Sequence, residues 1–209
     1  MKVVPFVYGD REELFANCYL AIDESSSCVV IDPSCDYDGV INYIRKNNLK
    51  CKGVLLTHAH FDHMRGIDRT VAAFDVPFFV SRDDEDGLTN SEINCSTLSK
   101  HDVIIKTKAR VVDDQEVLNL LDEPIKVIST PFHTKGSICY YIATNNIIFT
   151  GDTLFRGFIG RTDLPSSIAR ETKASLAKLL ALPDETKVYP GHGLTTNIGF
   201  ERKLNPFIK

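Results

Sequence analysis

Three imidazoles and a carboxylate fall within six consecutive positions of this chain, in the run Thr57-His58-Ala59-His60-Phe61-Asp62-His63. Neutral imidazole and carboxylate suit zinc, iron and related divalent ions, and three imidazoles crowded together have few structural uses. With six His and eighteen Asp in 209 residues, composition alone produces a His-x-His-x-Asp-His match in roughly 4 of ten thousand such chains. The bland alternative is a polar surface turn. The cluster reads instead as half of a metal site.

A half-site needs partners, and single ligands occur at three other points. Thr130-Pro131-Phe132-His133-Thr134 follows a β-rich run ending at Ser129, Gly151-Asp152-Thr153 follows one ending at Thr150, and Pro190-Gly191-His192-Gly193 follows one ending at Tyr189. Gly or Pro beside these positions permits the tight turns that bring a side chain to a shared centre. Taken singly, His133 and His192 would be structural histidines and Asp152 a turn or cap residue. Read with the first cluster, they place five of the six histidines at one centre. His101, in Lys100-His101-Asp102, has polar neighbours and is assigned to the surface.

The elements that must position these groups can be read from periodicity. Val3–Val7, Cys18–Ile22 and Cys28–Ile31 are short β-rich runs separated by turn-forming stretches, predicting an antiparallel meander. Tyr37–Asn48 carries Val40, Ile41 and Ile44 at helical spacing, Gly53–Thr57 returns to strand character, and the metal motif begins where that strand ends. Gly66–Phe74 reads as helix and Pro77–Val80 as strand. The acidic stretch Asp83-Asp84-Glu85-Asp86-Gly87 opens a less periodic region lasting to about Leu121. Ile125–Ser129, Ile138–Ala143 and Ile147–Thr150 are strands, the last two joined as a hairpin through Thr144-Asn145-Asn146. Ser166–Leu182 is predicted as a helix with Ile168, Leu176, Leu179 and Leu180 on its apolar face and Pro183 closing it. Lys187–Tyr189 is a final strand. In β-strand, loop, helix units, functional groups collect at the strands' carboxyl ends. Two such sets imply two β-sheets packed face to face with helices outside.

Composition narrows the function classes. Apolar residues make up 43% and charged residues 25%, with a formal net charge of −4, and no run approaches the apolar length of a membrane span. No basic block interleaved with aromatics supports nucleic-acid binding. The apolar run from Val3 to Tyr8 is broken by Gly9-Asp10-Arg11-Glu12-Glu13 before a signal-peptide core is complete. The cysteines Cys18, Cys28, Cys35, Cys51, Cys95 and Cys139 include no CxxC pair and sit mostly in apolar runs, so reduced thiols and a cytoplasmic location are expected.

With Asp32, the residues His58-x-His60-x-Asp62-His63, His133, Asp152 and His192 match in order and approximate spacing the five motifs of the metallo-β-lactamase-fold superfamily, which the chain resembles over nearly its whole length. Gly151-Asp152-Thr153-Leu154-Phe155, Ile159-Gly160-Arg161-Thr162-Asp163-Leu164-Pro165 and Tyr189-Pro190-Gly191-His192-Gly193, with Glu201-Arg202 and Asn205-Pro206 behind, are similar to the glyoxalase II group of hydroxyacylglutathione hydrolases. The resemblance implies an α/β fold, an αββα four-layer sandwich of two mixed β-sheets with helices on the outer faces. It implies one ion on His58, His60 and His133, a second on Asp62, His63 and His192, Asp152 bridging, and Asp32 orienting the ligands from behind. Phe132 stands where the family usually has glycine and Arg65 where a small residue often follows, changes expected to narrow or recharge the pocket. Full-length glyoxalase II enzymes carry a helical C-terminal domain supplying basic residues for glutathione. This chain ends shortly after His192, so the similarity is to short members and residues 1–209 are expected to form a single domain.

The resemblance further implies a metal-dependent thioesterase acting on small S-hydroxyacyl thiols such as S-lactoylglutathione, using a bridging hydroxide between two divalent ions. Zinc is expected, with iron or manganese compatible with the same ligands. Asp62 is the expected catalytic group, orienting the attacking hydroxide, and Arg161, Lys135 and Arg65 are candidate substrate contacts. Persulfide dioxygenases share Gly160-Arg161-Thr162-Asp163, which implies an alternative with one iron on His58, His133 and Asp152. Lactone or β-lactam hydrolysis is a further alternative. Neither nucleic acid nor membrane is expected as a partner, and the oligomeric state is left open.

Overall fold

In the strand Cys18–Ile22 every residue is buried, and successive side chains enter different cores: Cys18, Leu20 and Ile22 one, Tyr19 and Ala21 another. A strand apolar on both faces must be covered on both, which dictates layers above and below its sheet. The computed structural model describes residues 1–7, 15–34 and 38–208. The expected break at Gly9–Glu13, Cys35 and the Tyr37 start of the first helix lie outside them.

The first sheet is built in chain order. Strands β1 (Lys2–Phe6), β2 (Cys18–Ile22) and β3 (Ser27–Ile31) form the expected antiparallel meander. Helix α1 (Asp38–Lys46) leads to β4 (Lys50–Leu55), the one-turn α2 (Phe61–Met64) and α3 (Ile67–Phe74) lead to β5 (Phe78–Ser81), and β6 (Arg110–Val112) closes the sheet, with β3 to β6 parallel. Helix α1 buries Val40, Ile41 and Ile44 and carries Asp38 in its first turn and Arg45 and Lys46 in its last, each matched to the helix dipole. Left-handed Asn48 and Asp75 turn the chain out of α1 and α3.

The second sheet comprises β7 (Val117–Leu118), β8 (Ile125–Ser129), β9 (Ile138–Ile142), β10 (Ile147–Gly151) and, beyond the small hairpin β11 (Leu154–Phe155) and β12 (Phe158–Ile159) and helix α4 (Thr172–Leu180), β13 (Lys187–Pro190) and β14 (Thr196–Asn197). Its order is β14-β13-β10-β9-β8-β7, and β10 and β13 run parallel within an otherwise antiparallel sheet. Helix α5 (Ile198–Leu204) ends the described elements, with the Asn197 side chain accepting the Phe200 N–H as its cap.

Three cores stack through the molecule. Tyr19, Val29, Ile31, Leu55 and Phe79 of the first sheet meet Val127, Tyr140, Ile142 and Phe149 of the second. Outside the first sheet, Leu20, Val30 and Val54 pack on Val40 and Ile44 of α1 and Ile67 of α3. Outside the second, Ile128, Cys139 and Ile148 pack on Leu176 and Leu179 of α4 and Ile198 of α5. The molecule is the expected αββα sandwich of two mixed sheets.

The expected helix Ser166–Leu182 is shorter, starting at Thr172 after a 3-10 turn at Ala169–Glu171. Its predicted first turn is diverted, because the Ile168 N–H donates to the Phe132 carbonyl and Ser167 Oγ donates to the His133 carbonyl. The aperiodic region holds a 3-10 helix at Arg82–Leu88, β6 and β7. Among the described residues, Cys28, Cys51, Cys95 and Cys139 are free thiols. Among the described residues, no helix is long and apolar enough to cross a membrane.

Candidate metal centre

Each candidate ligand follows the carboxyl end of a strand. Asp32 follows β3, His58 to His63 follow β4, His133 follows β8, Asp152 follows β10 and His192 follows β13. The first cluster splits because its backbone changes form: His60 is extended (φ −82°, ψ 145°) and caps α2, whose turn contains Asp62 and His63. Alternate residues of an extended segment share a side, so His58 and His60 go together while the helical turn swings the next pair away. Donor atoms of His58, His60 and His133 lie within 4.8 Å of one another, and so do those of Asp62, His63 and His192. A third set, His58, His63 and Asp152, overlaps the first in His58 and the second in His63. Asp152 is central, with Oδ1 3.3 Å from His63 Nε2 and Oδ2 3.4 Å from His133 Nε2 and 3.5 Å from His192 Nε2.

Hydrogen bonds behind the cluster fix which ring nitrogen faces it. His63 Nδ1 donates to Asp32 Oδ2 at 2.9 Å, and His133 Nδ1 donates to the Arg161 carbonyl at 2.9 Å. Thr57 Oγ1 gives its proton to Asp32 Oδ2 at 2.7 Å, so it accepts from His58 Nδ1 at 3.2 Å. The Nε2 lone pairs of all three rings are thereby left for the centre. His60 Nδ1 lies 2.9 Å from His133 Nε2. Among the described residues, the buried Nε2 atoms of His58, His60 and His63 and Asp152 Oδ1 have no hydrogen-bond partner. Orphaned buried polar atoms cost about 1–3 kcal/mol each, and a divalent cation satisfies such a set. The donor set fits metal.

The charges are arranged to the same end. Burial, with His63 and His60 nearby, holds His58 well below its ordinary value, and burial next to His133 pushes His60 down to about 3. Burial opposes ionisation of Asp152 and Asp62, but neighbouring imidazoles outweigh it: His192 and His63 hold Asp152 well below the carboxylate range, and His63 and His192 lower Asp62. Burial would also lower His63 and His192; instead Asp152, Asp62 and Asp32 raise His63, and Asp152 and Asp62 raise His192. Both carboxylates are therefore ionised at neutral pH.

Close approach explains two of the glycines in the motifs. A Cβ on Gly151, whose φ is +47°, would lie 2.2 Å from Thr57 Oγ1, and one on Gly191 would lie 2.2 Å from Asp152 Oδ1 and 2.6 Å from His63 Cε1. Asp32 itself is a non-glycine residue at φ 48°, a strain of about 1–3 kcal/mol held by the Thr57 N–H, the Thr57 hydroxyl and His63.

The expected cations all have partners. Arg161 is paired side-on with Asp163 and is 63% exposed, Lys135 binds Asp86 at 2.7 Å, and the Arg65 guanidinium lies over the rings of Phe15 and Phe61 and donates to Ser99 Oγ. Phe132 does not narrow the pocket as expected: it is fully buried against the α4 core. His101 is exposed, as expected. Sequence reasoning missed Asn17. Its N–H donates to the Gly191 carbonyl at 2.6 Å and its Nδ2 to the carbonyls of Pro190 (3.1 Å) and Gly193 (3.0 Å), gathering the His192 loop. It also missed Asp84, buried between the loops that carry His58, His60 and His133. A lone Asn donating to backbone carbonyls, or a lone Asp accepting from backbone N–H groups, far along the chain leaves no spacing pattern.

The sequence model of the metallo-beta-lactamase superfamily matches residues 11–192. The probable metallo-hydrolase YqgX of Bacillus subtilis is 32% identical over 195 residues, 92% of each chain. The hydroxyacylglutathione hydrolase GloC of Haemophilus influenzae is 32% identical over 196 residues, again 92% of each. The BLEG-1 B3 metallo-beta-lactamase superposes with a TM-score of 0.93 at 30% identity over 99% of both chains. TTHA1623 in a di-iron-bound form gives 0.87 at 31% identity over 98% of this chain and 99% of that one. ETHE1 from Myxococcus xanthus gives 0.80 at 27% identity over 100% and 84%.

Proposed function

The chain belongs to the metallo-beta-lactamase superfamily, a superfamily of metallo-hydrolases, and from that premise we propose that it is a hydroxyacylglutathione hydrolase-like thioesterase with two divalent ions, preferentially zinc. The observation that carries the reading is the pair of complete three-donor groups on either side of Asp152. His58, His60 and His133 would hold one ion and Asp62, His63 and His192 the other, with Asp152 between the two groups. Bound there, two divalent ions supply an acidified water and polarise a carbonyl.

The chain's own groups do the rest. Asp62, 3.1 Å from His192 Nε2 and held ionised by His63 and His192, accepts a hydrogen bond from the attacking water and aims it. The water's oxygen bonds to the thioester carbon and the C–S bond breaks; one water proton stays on the new carboxyl group and the other passes to the departing sulfur, so a carboxylic acid and a thiol leave. Arg161 is the cation we assign to an anionic part of the substrate, because its carbonyl already anchors His133 at the centre. Lys135 and Arg65 have weaker claims: all three cations have partners, Arg161 in Asp163, Lys135 in Asp86 and Arg65 in the Phe15 and Phe61 rings, but only Arg161 also has its carbonyl bonded to a candidate ligand. The similarity to GloC supports the thioester class. The free thiols Cys28, Cys51, Cys95 and Cys139 fit a cytoplasmic setting.

A second reading, persulfide oxidation on one iron, draws on the Gly160–Asp163 segment packed on His133 and Asp152; the di-iron-bound form of TTHA1623 supports iron as the metal and not a single ion. A third, β-lactam hydrolysis, draws on the likeness to BLEG-1. The test is one panel on the zinc-loaded and iron-loaded chain: S-lactoylglutathione, other acyl thioesters, a chromogenic β-lactam, and glutathione persulfide with an oxygen electrode. Thioester turnover by the zinc form is the expected result. Oxygen consumption by the iron form with no thioester turnover sinks the reading.

A further inference from the structure

The acidic stretch after β5 has no part in the proposed chemistry, yet one of its carboxylates is not on the surface. Asp83, Glu85 and Asp86 are exposed, while Asp84 is 2% exposed. The 3-10 helix Arg82–Leu88 turns every third residue inward, and Asp84 and Gly87 are the pair it buries first. Asp84 Oδ2 accepts the Ala59 N–H at 2.9 Å and the Thr134 hydroxyl at 2.7 Å, and Oδ1 accepts the Gly136 N–H at 2.9 Å. Ala59 lies between His58 and His60, and Thr134 follows His133. One carboxylate therefore ties together the two loops that carry these three imidazoles.

Packing corroborates the hydrogen bonds. A Cβ on Gly136 would lie 2.4 Å from Asp84 N and 2.6 Å from its Cγ, so only glycine lets the His133 loop approach this closely. A Cβ on Gly87 would lie 2.8 Å from Ala59 Cβ, so the 3-10 helix also presses on the His58 loop. The other half of the centre is held from elsewhere, His63 by Asp32 and the His192 loop by Asn17. No hydrogen bond of Asp84 described above reaches it.

We propose that Asp84 is a positioning residue that sets the three-imidazole half of the centre, and only that half. The inference rests on the reading of His58, His60 and His133 as a metal site, and not on which reaction follows. Asp84→Asn keeps the size but turns a donor toward donors that all need acceptors. Supporting residues of this kind typically govern metal affinity by about 10–100-fold.

The test is zinc affinity and ions per chain, measured by competition with a chromophoric chelator and by native mass spectrometry. For Asp84→Asn, one ion is expected to bind about 10–100-fold more weakly and the other as in the parent. In the His192→Ala background the substitution should leave no tightly bound ion, and in the His60→Ala background it should leave the remaining ion unchanged. Two ions bound with parental affinity, or both weakened alike, overturns the proposal. If Asp84→Asn does not fold, Thr134→Val removes one of the three donors and is expected to weaken the same ion to a smaller degree; parental affinity there overturns it too. A parent chain that binds two ions but hydrolyses no thioester defeats the reaction reading and leaves this inference intact.

Discussion

At the scale of residues, the centre is a set of imidazoles whose outward nitrogens are fixed by Asp32, Thr57 and the Arg161 carbonyl, facing two ionised carboxylates. Asp62 has two duties in this account, as ligand and as the group that aims the attacking water. Asp62→Ala is therefore expected to lower kcat by about 10²–10⁴-fold while the zinc-loaded chain keeps its far-UV circular dichroism; a chain that no longer folds would make Asp62 a structural residue. The buried imidazoles also leave a mark on the metal-free chain. His60 titrates near 3 and His58 well below its ordinary value in the folded state, so between pH 6.5 and about 3 the unfolded chain takes up protons that the folded chain refuses. Stability from these rings is complete above pH 6.5 and is lost as the pH falls, by up to about 1.4 kcal/mol per pH unit per ring. His63 and His192, raised, contribute no slope in that window because they are protonated in both states. Urea midpoints of the metal-free chain at pH 6.5 and 5.0 check this, and a higher midpoint at 5.0 contradicts it.

At the scale of elements, the sequence was most readable where one rule applied repeatedly. His58, His133, Asp152 and His192 were each found by looking just past a strand, and each does follow one. The same rule applied to β5 leads to Asp84, but a run of four acidic residues at positions 83–86 reads as a solvated turn, and nothing in their types marks the one that is buried. The first turn of the predicted helix Ser166–Leu182 failed for another reason: Ser167 and Ile168 give their hydrogen bonds to the His133 loop instead of to the helix, a tertiary preference invisible to periodicity. Helix α5 has only seven residues and a glycine inside it, too short for a periodic signal. Phe132 was expected to narrow the pocket and instead anchors that loop in the α4 core with Leu176 and Leu179. Phe132→Ala should then destabilise the chain by about 3–5 kcal/mol in thermal or urea unfolding, with KM for small thioesters unchanged; a stable variant with widened substrate range would place the ring in the pocket after all.

At the scale of the whole molecule, the two sheets contribute different halves of one centre. Asp32 and His58 to His63 come from the first sheet, and His133, Asp152 and His192 from the second. The apolar inner faces that press the sheets together therefore also bring the ligands together, and this architecture was legible because each half of the chain repeats a set of short apolar strands followed by a ligand-bearing loop. Net charge and composition said what the chain need not bind, and nothing in them speaks to the reaction. The proposed hydrolysis requires two ions acting as one centre. The most direct test adds zinc stepwise to the metal-free chain and follows S-lactoylglutathione hydrolysis against ions bound per chain. The predicted result is little turnover at the first equivalent and a rise to a plateau at the second. Full turnover with a single ion, or none at two ions alongside oxygen-dependent persulfide consumption by a one-iron form, would contradict it.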